Sequence, residues 1–275
     1  MIKLNRDRTR VPAAYRGAKL KAKLQALVLA RMQHGEKIEF EGVIGDWSKT
    51  KARLKAESFG KCAYCESDTE KVAYGDVEHF RPKSIYWWLA LCMDNYNFSC
   101  QICNQGYKSN HSSVQGARLT GPALPASLPG EPALTQLLET ISPDPALVTD
   151  AELLSNWFNE DSDLPNPYLE DPEPLLAWAV SNTNQEVHLV APYRGSARAN
   201  RAVQACIDHL GLNREVLMRS RYVAYRDLLF ALQVWRGGDP DLSPLAAAEV
   251  VRLCAQEMEY AGMRRFFARA AGFAI

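Results

Sequence analysis

Two Cys-x-x-Cys pairs, Cys62/Cys65 and Cys100/Cys103, constrain this 275-residue chain more than any other feature. A CxxC turn presents two thiolates to one ion, and zinc takes four tetrahedral thiolate or imidazole ligands. The pairs therefore supply a complete four-cysteine site with no open position, and the ion expected there is structural zinc. A redox dithiol would account for one pair but not two. The chain has seven cysteines, an odd number, and its opening M-I-K-L-N-R-D-R-T-R lacks the apolar core of a signal peptide. A disulfide framework is thus not expected, and a cytoplasmic location is. Cys92, Cys206 and Cys254 are expected to be small buried apolar residues. No run of about 18 apolar residues marks a membrane span.

Chemistry-bearing residues fall between and just after the pairs. Glu78 and His79 are adjacent on a strand expected around Val77–Phe80, followed by Arg81-Pro82. Asn95 precedes the second pair, Asn104 follows Cys103 directly, and Lys108 comes four residues later. A lone Glu-His pair carries little information; the set, fixed at both ends by cysteine pairs, carries much more.

The arrangement C-A-Y-C-E, V-E-H-F-R-P-K, D-N-Y-N-F-S-C-Q-I-C-N-Q-G-Y-K resembles the HNH endonuclease superfamily. It is closer still to the PtuB-like HNH effectors of Septu and retron anti-phage systems. The elements M-I-K-L-N-R at the start, N-P-Y-L-E-D-P at 166–172 and L-G-L-N-R-E-V-L at 210–217 look like further recurring pieces of that family. The resemblance implies an α+β, mainly helical chain, with a ββα-metal core stapled by the four-cysteine zinc site and flanked by helices. It implies His79 as general base, with an ordinary imidazole of pKa about 6.5 suiting the task. Glu78 and Asn104 would hold a catalytic divalent ion, and Asn95 would orient His79 or brace its loop. Many relatives carry His where this chain has Asn104. An amide oxygen is a harder ligand than imidazole, which favours Mg2+ or Mn2+. His111 is a candidate substitute ligand, and Lys108 and Arg81 are candidate phosphate contacts. His34, His188 and His209 are expected to be structural.

The implied activity is in-line hydrolysis of a phosphodiester, with DNA as the implied substrate, leaving 5′-phosphate and 3′-hydroxyl ends. The implied partners are nucleic acid, a PtuA-like ATPase and, in a retron setting, a reverse transcriptase with its DNA; no membrane is involved. A tRNA-cleaving ribonuclease with the same residues and a non-catalytic zinc-stabilised scaffold are the competing readings.

Net charge is formally zero, but it is unevenly spread. Residues 1–40 carry ten Lys/Arg against three acids, and residues 194–236 carry eight Arg against three acids. Residues 119–193 hold twelve Asp/Glu and no Lys or Arg. Phosphate is expected to meet the basic segments and a protein partner the acidic one, unless the blocks simply balance each other. The resulting division is 1–118 for N-terminal helices plus the zinc core, 119–193 for an acidic, Pro-rich connecting segment, and 194–275 for a helical C-terminal region. Leu20, Leu24, Leu27, Val28 and Met32 predict a helix stopped by Gly35. A second helix is expected over 47–59, and another piece over 133–140. Val187, Leu189 and Ala191 predict a strand. Ser196 and Asn213 are candidate helix caps, Gly211 and Gly237-Gly238 candidate stops, and Ser243-Pro244 a candidate start. The tail from Tyr260 is also expected to be helical.

Overall fold

Leu20, Leu24, Leu27 and Val28 line the buried side of α1 (Gly17–His34), which ends at Gly35 with φ +58. The computed structural model describes residues 1–44, 47–69 and 74–275. Two short helices follow, α2 (Phe40–Ile44) and α3 (Ser48–Glu57), the latter anchored by the buried Leu54. The chain then forms the first cysteine pair and enters β1 (Asp76–His79). A linker containing the buried Trp87–Leu91 turn leads to β2 (Tyr96–Ser99). β1 and β2 pair antiparallel, with Glu78 opposite Asn97 and His79 opposite Tyr96. The second cysteine pair follows, and Ile102–Lys108 form a π-helical segment.

Beyond it lie α4 (Ala133–Ile141), α5 (Asp150–Trp157), and a second antiparallel pair of β3 (Ala177–Ser181) and β4 (Glu186–Val190). Helices α6 (Ala197–Leu210), α7 (Glu215–Gly237), α8 (Leu242–Leu253) and α9 (Ala261–Ala270) complete the chain. Among the described residues the architecture is α+β, with two small separate sheets among helices. Among the described residues, no helix is long and apolar enough to cross a membrane.

The β1–β2 hairpin lies between two apolar clusters. Tyr96 and Phe98 enter one, with α1, Leu54, the Trp87–Met93 run and residues of α4 and α5. Phe80 and the four paired cysteines enter the other, with Trp178, Val187 and Leu189 of the second sheet and Leu210, Leu217 and Met263 of the C-terminal helices. The first cluster draws side chains from across the boundary at 118, and the second from across both 118 and 193. Cys92, Cys206 and Cys254 are buried apolar members of three clusters.

The three recurring sequence elements meet structural partners. The opening segment runs beside 166–168: the Leu4 amide donates to the Pro167 carbonyl at 2.7 Å, Lys3 Nζ to the Tyr168 carbonyl at 2.9 Å, and the Arg6 guanidinium lies 3.7 Å over the Tyr168 ring. At the third element, Gly211 closes α6 in the left-handed conformation (φ +60). A Cβ there would stand 2.4 Å from the Tyr107 ring, so a hydrogen atom is needed for the π-helical segment to pack against α6.

Two caps differ from the sequence reading. Ser196 caps α6 as expected, accepting from the Ala199 amide at 3.1 Å. Asn213 does not cap α7: its amide is bonded to both backbone groups of Leu189, at 2.8 and 2.9 Å, and fastens β4 to the α6–α7 link. Helix α8 starts at Leu242, ahead of Pro244, because Asp239 accepts from the amides of Asp241 and Leu242, each at 2.9 Å.

The charge blocks largely meet each other. Arg198 pairs with Glu170 at 3.0 Å, and Arg201 with Asp161 at 2.6 Å and Asp163 at 2.9 Å. From the N-terminal block, Arg8 reaches Asp150 and Lys21 reaches Glu131. The balancing reading of the charge pattern therefore describes these groups. These pairs join charges from different blocks of the chain.

Candidate functional site

The sulfurs of Cys62, Cys65, Cys100 and Cys103 all lie within 4.8 Å of one another and are buried. Cys65 Sγ and Cys100 Sγ are 3.9 Å apart. Tetrahedral zinc–thiolate bonds of about 2.3 Å would separate sulfurs by about 3.8 Å, so the donor set fits one such ion. Local backbone bonds build the cluster. The Glu66 amide returns to the Cys62 carbonyl at 3.0 Å, and the Ala63 amide bonds to Phe98 of β2 at 2.8 Å. The Asn104 amide returns to the Cys100 carbonyl at 3.0 Å. Neighbouring sulfurs, Cys100 foremost, hold the Cys65 thiol well below its ordinary range. Arg214 Nη1 lies 3.6 Å from Cys103 Sγ, while also donating to the carbonyls of Leu210 and Gly211. It brings positive charge to a cluster that would carry negative charge as four zinc-bound thiolates. Arg214 was legible only as part of the recurring 210–217 element.

The cysteine pairs hold the hairpin that carries Glu78 and His79. Successive residues of a strand face opposite ways, so these neighbours occupy different surroundings. Glu78 is 2% exposed. Its Oε2 accepts from the Tyr64 hydroxyl at 2.5 Å, and its Oε1 is 2.6 Å from Lys108 Nζ. Asn97 Nδ2 donates to the same Tyr64 hydroxyl at 2.8 Å, and Lys108 Nζ donates onward to the His79 carbonyl at 2.9 Å. A continuous buried polar chain results: Asn97, Tyr64, Glu78, Lys108, then the backbone of His79.

The His79 side chain is half-buried on the other face, edge-on to Trp47 and Tyr96 at centroid distances of 5.5 and 4.9 Å. Its Nε2 lies 3.1 Å from the Ala90 carbonyl. A carbonyl only accepts, so this nitrogen carries the proton and Nδ1 keeps the lone pair. The ring does not have an ordinary pKa: burial drives it down to about 3, so it is uncharged at neutral pH.

Asn95 is fully buried and braces the loop after β1. Its Oδ1 accepts from the Arg81 amide at 2.8 Å, and its Nδ2 donates to the Arg81 carbonyl at 2.9 Å. Substituting Asn95→Ala strands both backbone groups in the core. The expected cost is about 2–4 kcal/mol by chemical denaturation; a loss under about 0.5 kcal/mol would show that the loop does not need the brace.

The two candidate phosphate contacts are turned inward. Lys108 is 0% exposed, and Arg81 pairs through Nε with the buried Glu160 at 2.7 Å, its guanidinium 4.4 Å over the Trp157 ring. Neither offers its charge at the surface in this conformation. His111 stacks on His209 of α6 at 4.5 Å. Asn104 Nδ2 and Gln105 Nε2 face Asp76 Oδ2 at 3.3 and 2.8 Å. Asp76 and Tyr64 were missed in the sequence. The available signals were Asp76's position two residues before Glu78, on the same face of the strand, and Tyr64's place inside the first CxxC turn.

The pair expected to hold a catalytic divalent ion therefore does not fit one in this arrangement. Both Glu78 oxygens have partners, one of them an ammonium, and the Asn104 amide is turned to Asp76.

Over 106 residues the chain is 35% identical to the Septu protein PtuB of Bacillus mycoides (strain KBAB4). The match takes in 34% of this chain and 35% of that protein, so it spans about a third of the relative's length. No family model matches the chain, and no solved structure matches it.

Proposed function

We propose that this chain is an HNH-type endonuclease that hydrolyses phosphodiester bonds, with DNA as substrate, in an anti-phage defence system that includes a PtuA-like ATPase. The observation that carries the reading is the setting of His79. An imidazole with its Nε2 fixed on the Ala90 carbonyl, and so with its lone pair on Nδ1, ends a strand stapled by four cysteines. The reading is supported by the order of elements: an antiparallel β1–β2 pair followed by the helical Ile102–Lys108 segment, the order a ββα core would have. In this reading His79 Nδ1 takes a proton from the attacking water, Asn95 holds the loop behind it, and the cysteines hold structural zinc. The defence setting rests on the similarity to Septu protein PtuB.

The test is a cleavage assay on the zinc-loaded chain, stripped of loosely bound ions. Supercoiled DNA and total tRNA are offered with Mg2+ or Mn2+ restored, with and without a PtuA-like ATPase. The expected result is metal-dependent nicking of DNA. Cleavage of tRNA alone moves the substrate to RNA, and no cleavage under any of these conditions overturns the enzymatic reading.

A further inference from the structure

Glu78 already holds a cation, and that cation is part of the chain. Lys108 Nζ lies 2.6 Å from Glu78 Oε1, with both side chains shielded from solvent to within 1%. The other carboxylate oxygen is taken by Tyr64. Lys108 is not a loosely placed side chain that happens to touch a carboxylate. It ends the π-helical segment, where Ser109 turns back with φ +42 and bonds through its amide to the Asn104 carbonyl at 2.7 Å. Its ammonium also donates to the His79 carbonyl.

A buried carboxylate is stable when its charge is matched nearby, and the ammonium supplies that match. Mg2+ binds oxygen at about 2.0–2.1 Å. An ion at that distance from Oε1 would be crowded against Nζ, with two cations sharing one oxygen and little water to screen them. Ammonium and divalent ion therefore exclude each other at Glu78.

We infer that Lys108 is a positioning residue that stands in for the divalent cation at Glu78. It keeps the carboxylate and the His79 backbone ordered in the resting protein, and it must leave before a metal can bind there. The inference rests on the nuclease reading only in treating Glu78 as a metal ligand; its test measures binding and needs no cleavage.

Mn2+ is titrated into the zinc-loaded full chain, and free Mn2+ is followed by electron paramagnetic resonance. Lys108→Met is expected to bind one Mn2+ roughly tenfold to a hundredfold more tightly than the wild type, since binding no longer breaks a buried ion pair. Adding Glu78→Gln to that variant should abolish the gain. Lys108→Gln keeps a donor for the His79 carbonyl without the charge. It should show the same gain, and it serves if Lys108→Met does not fold. Equal Mn2+ affinity in the wild type and the folded Lys108 variants overturns the inference, as does a gain that survives Glu78→Gln. Failure of the nuclease reading would appear separately, as absence of cleavage with Mn2+ bound.

Discussion

Replacing Cys62 or Cys103 by serine is expected to unfold the centre of this protein. Structural zinc contributes about 10–16 kcal/mol to the folding of small zinc modules, a figure comparable to or larger than the net stability of a whole domain. Here the cysteines are shared among several elements. They join the first knuckle to β2 through the Ala63–Phe98 bond, and they lie in the apolar cluster that includes β4 and α7. Losing the ion would leave thiols in that cluster and Arg214 beside a neutral sulfur. The measurements are zinc content per chain and thermal unfolding with and without a strong chelator. One zinc per chain is expected, with a large drop in Tm on chelation and a comparable drop in each serine variant. Cys92→Ala is the control, because that thiol is buried in the other cluster away from the knuckles. Its cost should be that of a small cavity, about 1–2 kcal/mol. If the knuckle variants cost no more than the control and the protein carries no zinc, the staple does not exist.

Features set by local chemistry were the ones most legible in the sequence. The cysteine pairs come together because each CxxC turn is a local unit and the hairpin between them is short-range. Gly35, Gly211 and Gly238 all take positive φ at helix ends, which is why glycine spacing located those ends well. β3 was missed because A-W-A-V-S reads as a plain apolar run, and its alternation emerges only when paired with β4. Helix α5 was missed because eight residues with an exposed Leu154 give too short a pattern.

The larger errors concern charged side chains, whose partners are remote in sequence. Arg81 finds Glu160, and Arg201 finds Asp163, across long separations. Lys108 reads as a phosphate contact because it is a lysine close in sequence to the Glu78-His79 pair and Asn104; the π-helical segment turns it inward onto Glu78 instead. Net charge by segment could not reveal this, since it records how many charges each stretch holds and not which ones neutralise each other. The same limitation hid the polar chain through Tyr64, a residue that composition counts as apolar.

His79→Ala is expected to reduce cleavage by about 10²- to 10⁴-fold, the usual range for loss of a positioned general base. The fold should survive the change. The Ala90 carbonyl that His79 Nε2 bonds also accepts from the Tyr96 hydroxyl at 2.5 Å, so it is not left unpaired. Trimming the ring removes packing against Trp47 and Tyr96, at a cost of about 1–3 kcal/mol. His79→Gln separates the two effects: its amide can still donate to Ala90, but it has no basic nitrogen to take a proton. Both variants should retain zinc and a cooperative unfolding transition, while DNA cleavage falls to near background in each. If either variant cleaves at the wild-type rate, His79 is not the base. If both lose zinc or unfold at room temperature, the histidine is instead part of the frame, and the base must be sought among other groups near β1.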